Sequence, residues 1–129
     1  MNDYPDIIQS YWYSIDWDVA EIWALDLPVS DCPISDLVWH LDAPVWPGPD
    51  GNYTVTPRQV LENPNKHAAE ALRIDKADTN FPLDVYRNRG KLMILDGIHR
   101  LAKLVRAGAT DIDIRVVPDD AVRHLGPTN

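Results

Sequence analysis

The stretch Leu92-Met93-Ile94-Leu95-Asp96-Gly97-Ile98-His99-Arg100-Leu101-Ala102 changes its pattern at a single glycine. Before Gly97, four consecutive apolar residues predict a short buried strand. After it, the spacing of the apolar residues predicts a helix that runs to Ala107 with one apolar stripe. A strand that passes directly into a helix indicates a chain that mixes both kinds of element.

Further elements are predicted on both sides of this stretch. Upstream, residues 82–86 read as another strand, and the glycine of Asn88-Arg89-Gly90-Lys91 suits a hairpin turn between the two strands. Downstream, Gly108 is suited to end the helix, alternating apolar residues predict a half-buried strand over 112–116, and 119–120 begins a short last helix.

The middle of the chain carries two helix signals. Thr56-Pro57 predicts an N-cap followed by proline at the first helical position. Asn63-Pro64 interrupts that helix, and a second helix with a moderately apolar face runs to Asp78. Residues 53–55 form a brief strand before the first of these helices.

The first third of the chain is rich in aromatic residues and prolines. Residues 1–27 hold six tyrosines and tryptophans, and a helix through Ile22 and Trp23 is expected there, capped by an aspartate at 16 or 18. Residues 27–34 look extended, and Ser35 or Asp36 is expected to cap a short helical turn. Together these patterns predict a single α+β domain over 1–129, with a small mixed sheet flanked by short helices and 1–27 as an acidic, aromatic N-terminal extension.

Charge is distributed unevenly in this chain of net charge −8. Residues 1–57 have ten acidic residues and no Lys or Arg, whereas 58–129 have twelve basic and ten acidic residues. The acidic balance disfavours nucleic-acid binding, which depends on neutralising phosphates. Six of the twelve basic residues lie between Arg87 and Arg106, so we expect any anionic ligand there, and a small one. The lone Cys32 and the lack of a long apolar run or basic leader lead us to expect a cytoplasmic protein that does not contact membranes.

The strand-to-helix turn is the candidate ligand site. The first amides of a helix have no partner within it and point outward, so they bind anions, and His99 and Arg100 add donors suited to phosphate or carboxylate. Lys103 lies on the same helical stripe as His99. Asp96 suits a general base or a bridge to magnesium. The alternative is that Asp96 merely caps the helix, His99 and Arg100 are exposed, and nothing binds.

The motif from Leu95 to Ala102 resembles the nucleotide-binding core of the ParB and sulfiredoxin superfamily, and the similarity extends from about Leu27 to Pro118. The resemblance implies a ParB/sulfiredoxin-like fold in which Gly97, Ile98, His99 and Arg100 hold the phosphates of a nucleotide (ATP, ADP or CTP with Mg²⁺). The variant Asp-Gly-x-His-Arg is similar to that of the free serine kinases, which implies Asp96 and, more loosely, Asp42 as catalytic carboxylates. The implied function is a small phosphotransferase or NTPase acting on a small acceptor.

This chain departs from two branches of that superfamily. Ile98 stands where sulfiredoxin needs a cysteine, so the reductase chemistry is not expected. ParB partition proteins have Gly-Glu-Arg-Arg in this turn and a DNA-binding domain downstream, so centromere binding is not transferred. The competing hypothesis is a non-catalytic interaction or regulatory module that keeps the fold and binds a protein through its Trp- and Tyr-rich first part.

Outside the motif, two further groups of residues are candidates for a metal site or for a place in the cleft. His40 with Asp42, and Asp96 with His99, are not in a recognised metal-ligand spacing, so no dedicated metal site is predicted. Asp84 either faces the cleft from the neighbouring strand or points to solvent, and we favour solvent.

Overall fold

The computed structural model describes residues 19–122, and the predictions for the aromatic residues and helix cap at 1–18 lie outside that range. Within it, the chain forms five α-helices, six strands and two short 3-10 helices. The helices are α1 (Val19–Trp23), α2 (Pro57–Glu62), α3 (Ala68–Lys76), α4 (Ile98–Arg106) and α5 (Asp119–Val122). The strands are β1 (Val29–Pro33), β2 (Trp46–Pro47), β3 (Tyr53–Val55), β4 (Leu83–Asn88), β5 (Lys91–Asp96) and β6 (Asp111–Val116), and the 3-10 helices are Ile34–Asp36 and Val38–Asp42.

The main sheet has four strands in the order β1-β6-β4-β5. The β1–β6 and β4–β5 pairs are antiparallel, and β4 and β6 are parallel, with β5 and α4 forming the connection between them. Strands β2 and β3 make a separate two-stranded sheet. The predicted α+β class with a small mixed sheet is therefore confirmed, and no helix in the described part of the chain is long and apolar enough to cross a membrane.

The hairpin of β4 and β5 sets the geometry of the candidate site. Arg89 and Gly90 both have positive φ (53° and 78°), as expected for the two-residue turn that suits the twist of a hairpin. The register shifts between Asp84 and Val85, so that Asp84 pairs with Asp96 while Val85 pairs with Ile94. One extra residue in β5 thus places two carboxylates directly opposite each other at the end of the hairpin.

Alternation along the strands buries both faces of the sheet. One face packs against α2, α3 and α4 through a large apolar cluster that includes Leu83, Ile94 and Leu101. The other face packs against α1 and α5 through a smaller cluster that includes Ile22, Tyr86 and Val122. The side chain of Asp96, the last residue of β5, therefore lies at the end of the sheet, where helices from both layers meet it.

A local sequence signal accounts for the start of α2. Thr56 accepts from the Gln59 amide at 3.1 Å, and its own amide donates to the Gln59 side chain at 3.0 Å, which completes a capping box. The predicted cap at Ser35 or Asp36 is wrong, because neither 3-10 helix has a side-chain cap and Asp36 lies inside the first of them. Backbone contacts to the Thr110 carbonyl and within the turns replace it.

His40 is a fully buried histidine that joins a 3-10 helix to the outer strand β5. Its Nδ1 lies 2.8 Å from the Leu37 carbonyl, and its Nε2 accepts the Ile94 amide at 3.0 Å. That pair of contacts requires the proton on Nδ1 and a neutral ring. Burial lowers the pKa of His40 to about 4, the Leu37 hydrogen bond opposes the shift, and Lys91 adds to it. This histidine is part of the core and lies among apolar residues.

Candidate functional site

Three adjacent strands line up a row of charged side chains. Arg115 on β6 pairs in register with Asp84 on β4, which pairs in register with Asp96 on β5. Arg100, on the first turn of α4, lies 2.9 Å from Asp96. Like charges opposite each other in a sheet repel, and here a guanidinium on each side of the two carboxylates offsets that repulsion.

Asp84 is the most buried member of the row, with 3% of its surface exposed. The interpretation of Asp84 as a solvent-facing residue is therefore wrong. Its Oδ1 lies 2.9 Å from Arg115 Nε, yet neither atom makes a well-directed hydrogen bond. Desolvation by burial raises the pKa of Asp84, and Arg115 opposes the shift. Asp84 is thus an ion-paired carboxylate whose hydrogen-bonding capacity is not fully used by the described residues.

Asp96 accepts two hydrogen bonds on one oxygen. Trp23 Nε1 donates to Oδ2 at 2.7 Å, and Arg100 Nη2 donates to the same atom at 2.9 Å. Arg100 in turn donates through Nη1 to the carbonyls of Phe81 and Pro82, so both terminal nitrogens of the guanidinium are hydrogen-bonded and its orientation is fixed. The carboxylate is therefore held in one orientation by groups from α1 and α4.

Gly97 makes the sharp turn from β5 into α4. Its φ is 117°, in the left-handed region, and a Cβ at this position would lie 2.7 Å from Leu83 Cγ. Both facts require glycine. The first bond inside α4 runs from the Leu101 amide to the Gly97 carbonyl at 2.9 Å, and no side chain caps the helix. The alternative in which Asp96 caps the helix is therefore wrong, and the amides of Ile98, His99 and Arg100 have no carbonyl partner within α4.

An open cleft of about 400 Å³ lies between α3 and the start of α4. The cleft is lined by Leu72, Arg73, Lys76, Ala77, Asp96, Gly97, His99 and Arg100. Arg73 and Lys76, in the last turn of α3, were not among the predicted site residues. Their spacing of three residues places them on one side of a helix, and this spacing is the feature of the sequence that indicates a shared basic surface. We refer to this space as the basic cleft.

His99 lies on one wall of the basic cleft and is fixed by two neighbours. Its Nε2 lies 2.8 Å from Glu70 Oε2, and its ring stacks on Trp46 with centroids 4.5 Å apart. Glu70 also pairs with Arg73 at 3.1 Å. The imidazole is therefore oriented by a carboxylate and by an aromatic face.

Two predicted site residues lie elsewhere. Asp42 is exposed and forms a two-point ion pair with Arg58, at 2.6 and 3.2 Å, which lowers the pKa of the carboxyl group, and it does not line the basic cleft. Lys103 donates to the carbonyls of Asp75 and Ala77 at 2.8 and 2.9 Å, so it ties α4 to the end of α3. Of the residues predicted for the site, Asp96, Gly97, His99 and Arg100 line the cleft together, whereas Ile98 does not line it and packs against the large apolar cluster.

Comparison with protein-family models, with curated proteins and with solved structures finds no match to this chain. The similarity to the ParB and sulfiredoxin superfamily therefore stays a prediction. A fold does not by itself indicate an activity, so the function is inferred from the chemistry of the site.

A second pocket, of about 590 Å³, lies on the other side of Arg100. It is lined by Trp23, Asp78, Phe81, Pro82, Asp84, Arg100 and Arg115. We refer to it as the aromatic pocket. Within residues 19–122, no group of three His, Cys, Asp or Glu side chains is placed to hold a metal ion.

Proposed function

We propose that this protein binds the phosphates of a nucleotide in the basic cleft and transfers a phosphoryl group to a small acceptor or to water. One observation carries the proposal: the nine-residue helix α4 begins without a side-chain cap, and its first turn borders a cleft that is also lined by basic side chains and a carboxylate. Helix N-termini bind phosphate through their amides and their partial positive charge.

The side chains of the cleft supply the charge that such a ligand needs. Lys76 has no ion-pair partner among the described residues, so its ammonium group is available to a phosphate oxygen. Arg73 and Arg100 are held by carboxylates, at 3.1 Å from Glu70 and 2.9 Å from Asp96. These acidic partners offset the cations when the cleft is empty, and an incoming phosphate competes with them for the same donors.

Asp96 is the group we assign as the general base. In the proposed step it takes the proton of the acceptor hydroxyl as the oxygen bonds to the terminal phosphorus, while the bond from phosphorus to the bridging oxygen breaks and the nucleoside diphosphate leaves. Asp96 is also a hard oxygen donor on the wall of the cleft, which fits a magnesium ion held by one carboxylate and by phosphate oxygens. Such an ion would neutralise charge on the transferring group.

Calorimetric titration with ATP, ADP, CTP and tripolyphosphate, each with and without Mg²⁺, tests the binding step. We expect Lys76→Ala to weaken tripolyphosphate binding about 10- to 100-fold, the scale of one charged hydrogen bond. Lys66→Ala is the matched control, because Lys66 is exposed and does not line the cleft. Equal tripolyphosphate affinities for the two variants, or no binding at millimolar concentration, would overturn the proposal. The remaining hypothesis would then be a non-catalytic interaction module.

Turnover is tested separately with Asp96→Asn. Asparagine keeps an oxygen that can accept from Trp23 and Arg100, so we expect nucleotide binding within about threefold of the wild type, with the rate of phosphoryl transfer about 10²- to 10⁴-fold lower. An unchanged rate in this variant would exclude Asp96 as the base while leaving the binding site intact.

A further inference from the structure

The aromatic pocket has two large apolar side chains at its mouth. Trp23 is 60% exposed and Phe81 is 62% exposed, which is unusual for such residues in a folded domain. They come from distant parts of the sequence, α1 and the segment before β4, and both line the same space. Aromatic side chains placed in this way offer flat surfaces to a flat ligand.

The aromatic pocket is also lined by a buried ion pair, Asp84 with Arg115. Asp84, with 3% of its surface exposed, faces Arg115 at 2.9 Å between Oδ1 and Nε, and neither of these two buried atoms makes a well-directed hydrogen bond among the described residues. Arg115 Nη2 donates to the Ile22 carbonyl at 2.8 Å. A carboxylate beside a guanidinium is an acceptor beside a donor, which is the complement of a ring edge that carries a donor beside an acceptor.

We propose that the aromatic pocket holds the nucleobase of the nucleotide whose phosphates lie in the basic cleft. This inference rests on the proposed function, because Arg100 forms a wall of both spaces. Nucleobases have two π-faces and carry adjacent donors and acceptors on their edges, so they match both the aromatic walls and the ion pair. The hydrogen bond from Trp23 to Asp96 links the stacking surface directly to the proposed base.

Three probes separate the two ends of the ligand: adenosine or cytidine for the aromatic pocket alone, tripolyphosphate for the basic cleft alone, and ATP for both. We expect Phe81→Ala to weaken adenosine and ATP binding about 5- to 150-fold, the range measured for loss of one stacking partner, and to leave tripolyphosphate binding unchanged. Val29→Ala is the control, because Val29 is 57% exposed and lines neither space. Trp23→Phe keeps an aromatic ring but removes the donor, and we expect it to bind nucleosides better than Trp23→Ala.

The outcomes distinguish this inference from the function on which it rests. Nucleoside binding that Phe81→Ala weakens supports the nucleobase site, whatever tripolyphosphate does. Tripolyphosphate binding with an ATP affinity equal in Phe81→Ala and wild type would overturn the nucleobase site and leave the phosphate site standing. Failure of all three probes to bind would overturn both.

Discussion

Acid should destabilise this protein through His40, and the size of the effect follows from its environment. The folded state holds the ring neutral, with a pKa of about 4 compared with 6.5 for the free side chain. Because the folded pKa is the lower one, the unfolded chain takes up the proton first, and the contribution of the neutral ring is complete above about pH 6.5 and is lost as the pH falls toward 4. A pKa shift of this size contributes at most about 3 kcal/mol to the free energy of unfolding, and about 2 kcal/mol of this contribution is lost between pH 7 and pH 4.5.

Urea unfolding of the wild type and of His40→Gln at both pH values measures this effect. Glutamine keeps an oxygen that can accept the Ile94 amide, yet it does not titrate. We therefore expect the free energy of unfolding to fall by about 2 kcal/mol more in the wild type than in the variant. His67→Gln, at a half-buried histidine just before α3, is the matched control for the same substitution at another site.

The pKa itself can be followed by NMR through the ring protons of His40. A midpoint near 6.5, or the same loss of stability in His40→Gln as in the wild type, would refute the reasoning. Either result would mean that the ring is hydrated or that the contact between Nε2 and the Ile94 amide does not form.

Two further substitutions test the geometry of the site. In thermal melts, Gly97→Ala should destabilise the protein by about 2 kcal/mol or more, because a Cβ would meet Leu83 and φ is positive, and it should also weaken phosphate binding. The control is Gly90→Ala, at a position with positive φ but open space around it. This variant should be destabilised by only about 1 kcal/mol. Asp84→Ala should cost about 3 to 5 kcal/mol, because it leaves Arg115 without its carboxylate, and Asp84→Ala/Arg115→Met should recover part of that loss in urea unfolding. A double variant no more stable than the single one would show that the ion pair is not the source of the cost.

The elements with strong local signals could be predicted from the sequence. The hairpin at Gly90, the turn at Gly97 and the helix that starts after Thr56 each depend on one residue with a specific backbone or capping role, and each lies where its signal indicates. A local rule suffices for these elements because the residues that decide them are within four positions of one another.

The site could be predicted only in part, because its other half comes from tertiary contacts. The spacing of Arg73 and Lys76 places them on one side of α3, but helix packing decides which element that side faces, so the sequence alone does not place them at the start of α4. The basic residues between Arg87 and Arg106 do not form a single cluster in the fold. Lys91 and Asp96 lie at opposite ends of β5, about 17 Å apart at the rise of a strand, so the turn of the hairpin is remote from the cleft.

The extra residue in β5 has a consequence for how this chain tolerates insertions and deletions. Side chains along a strand alternate with a period of two, so one added residue reverses the direction of everything that follows it. Removing Leu95 would restore regular pairing with β4, and Asp96, which would then follow Ile94 directly, would still lie opposite Asp84. The deletion would, however, take Leu95 out of the smaller apolar cluster and reverse the side of the sheet from which the chain enters α4. The extra residue therefore decides the direction in which α4 leaves the sheet, and with it where His99 and Arg100 lie, while the pairing of the two aspartates does not depend on it.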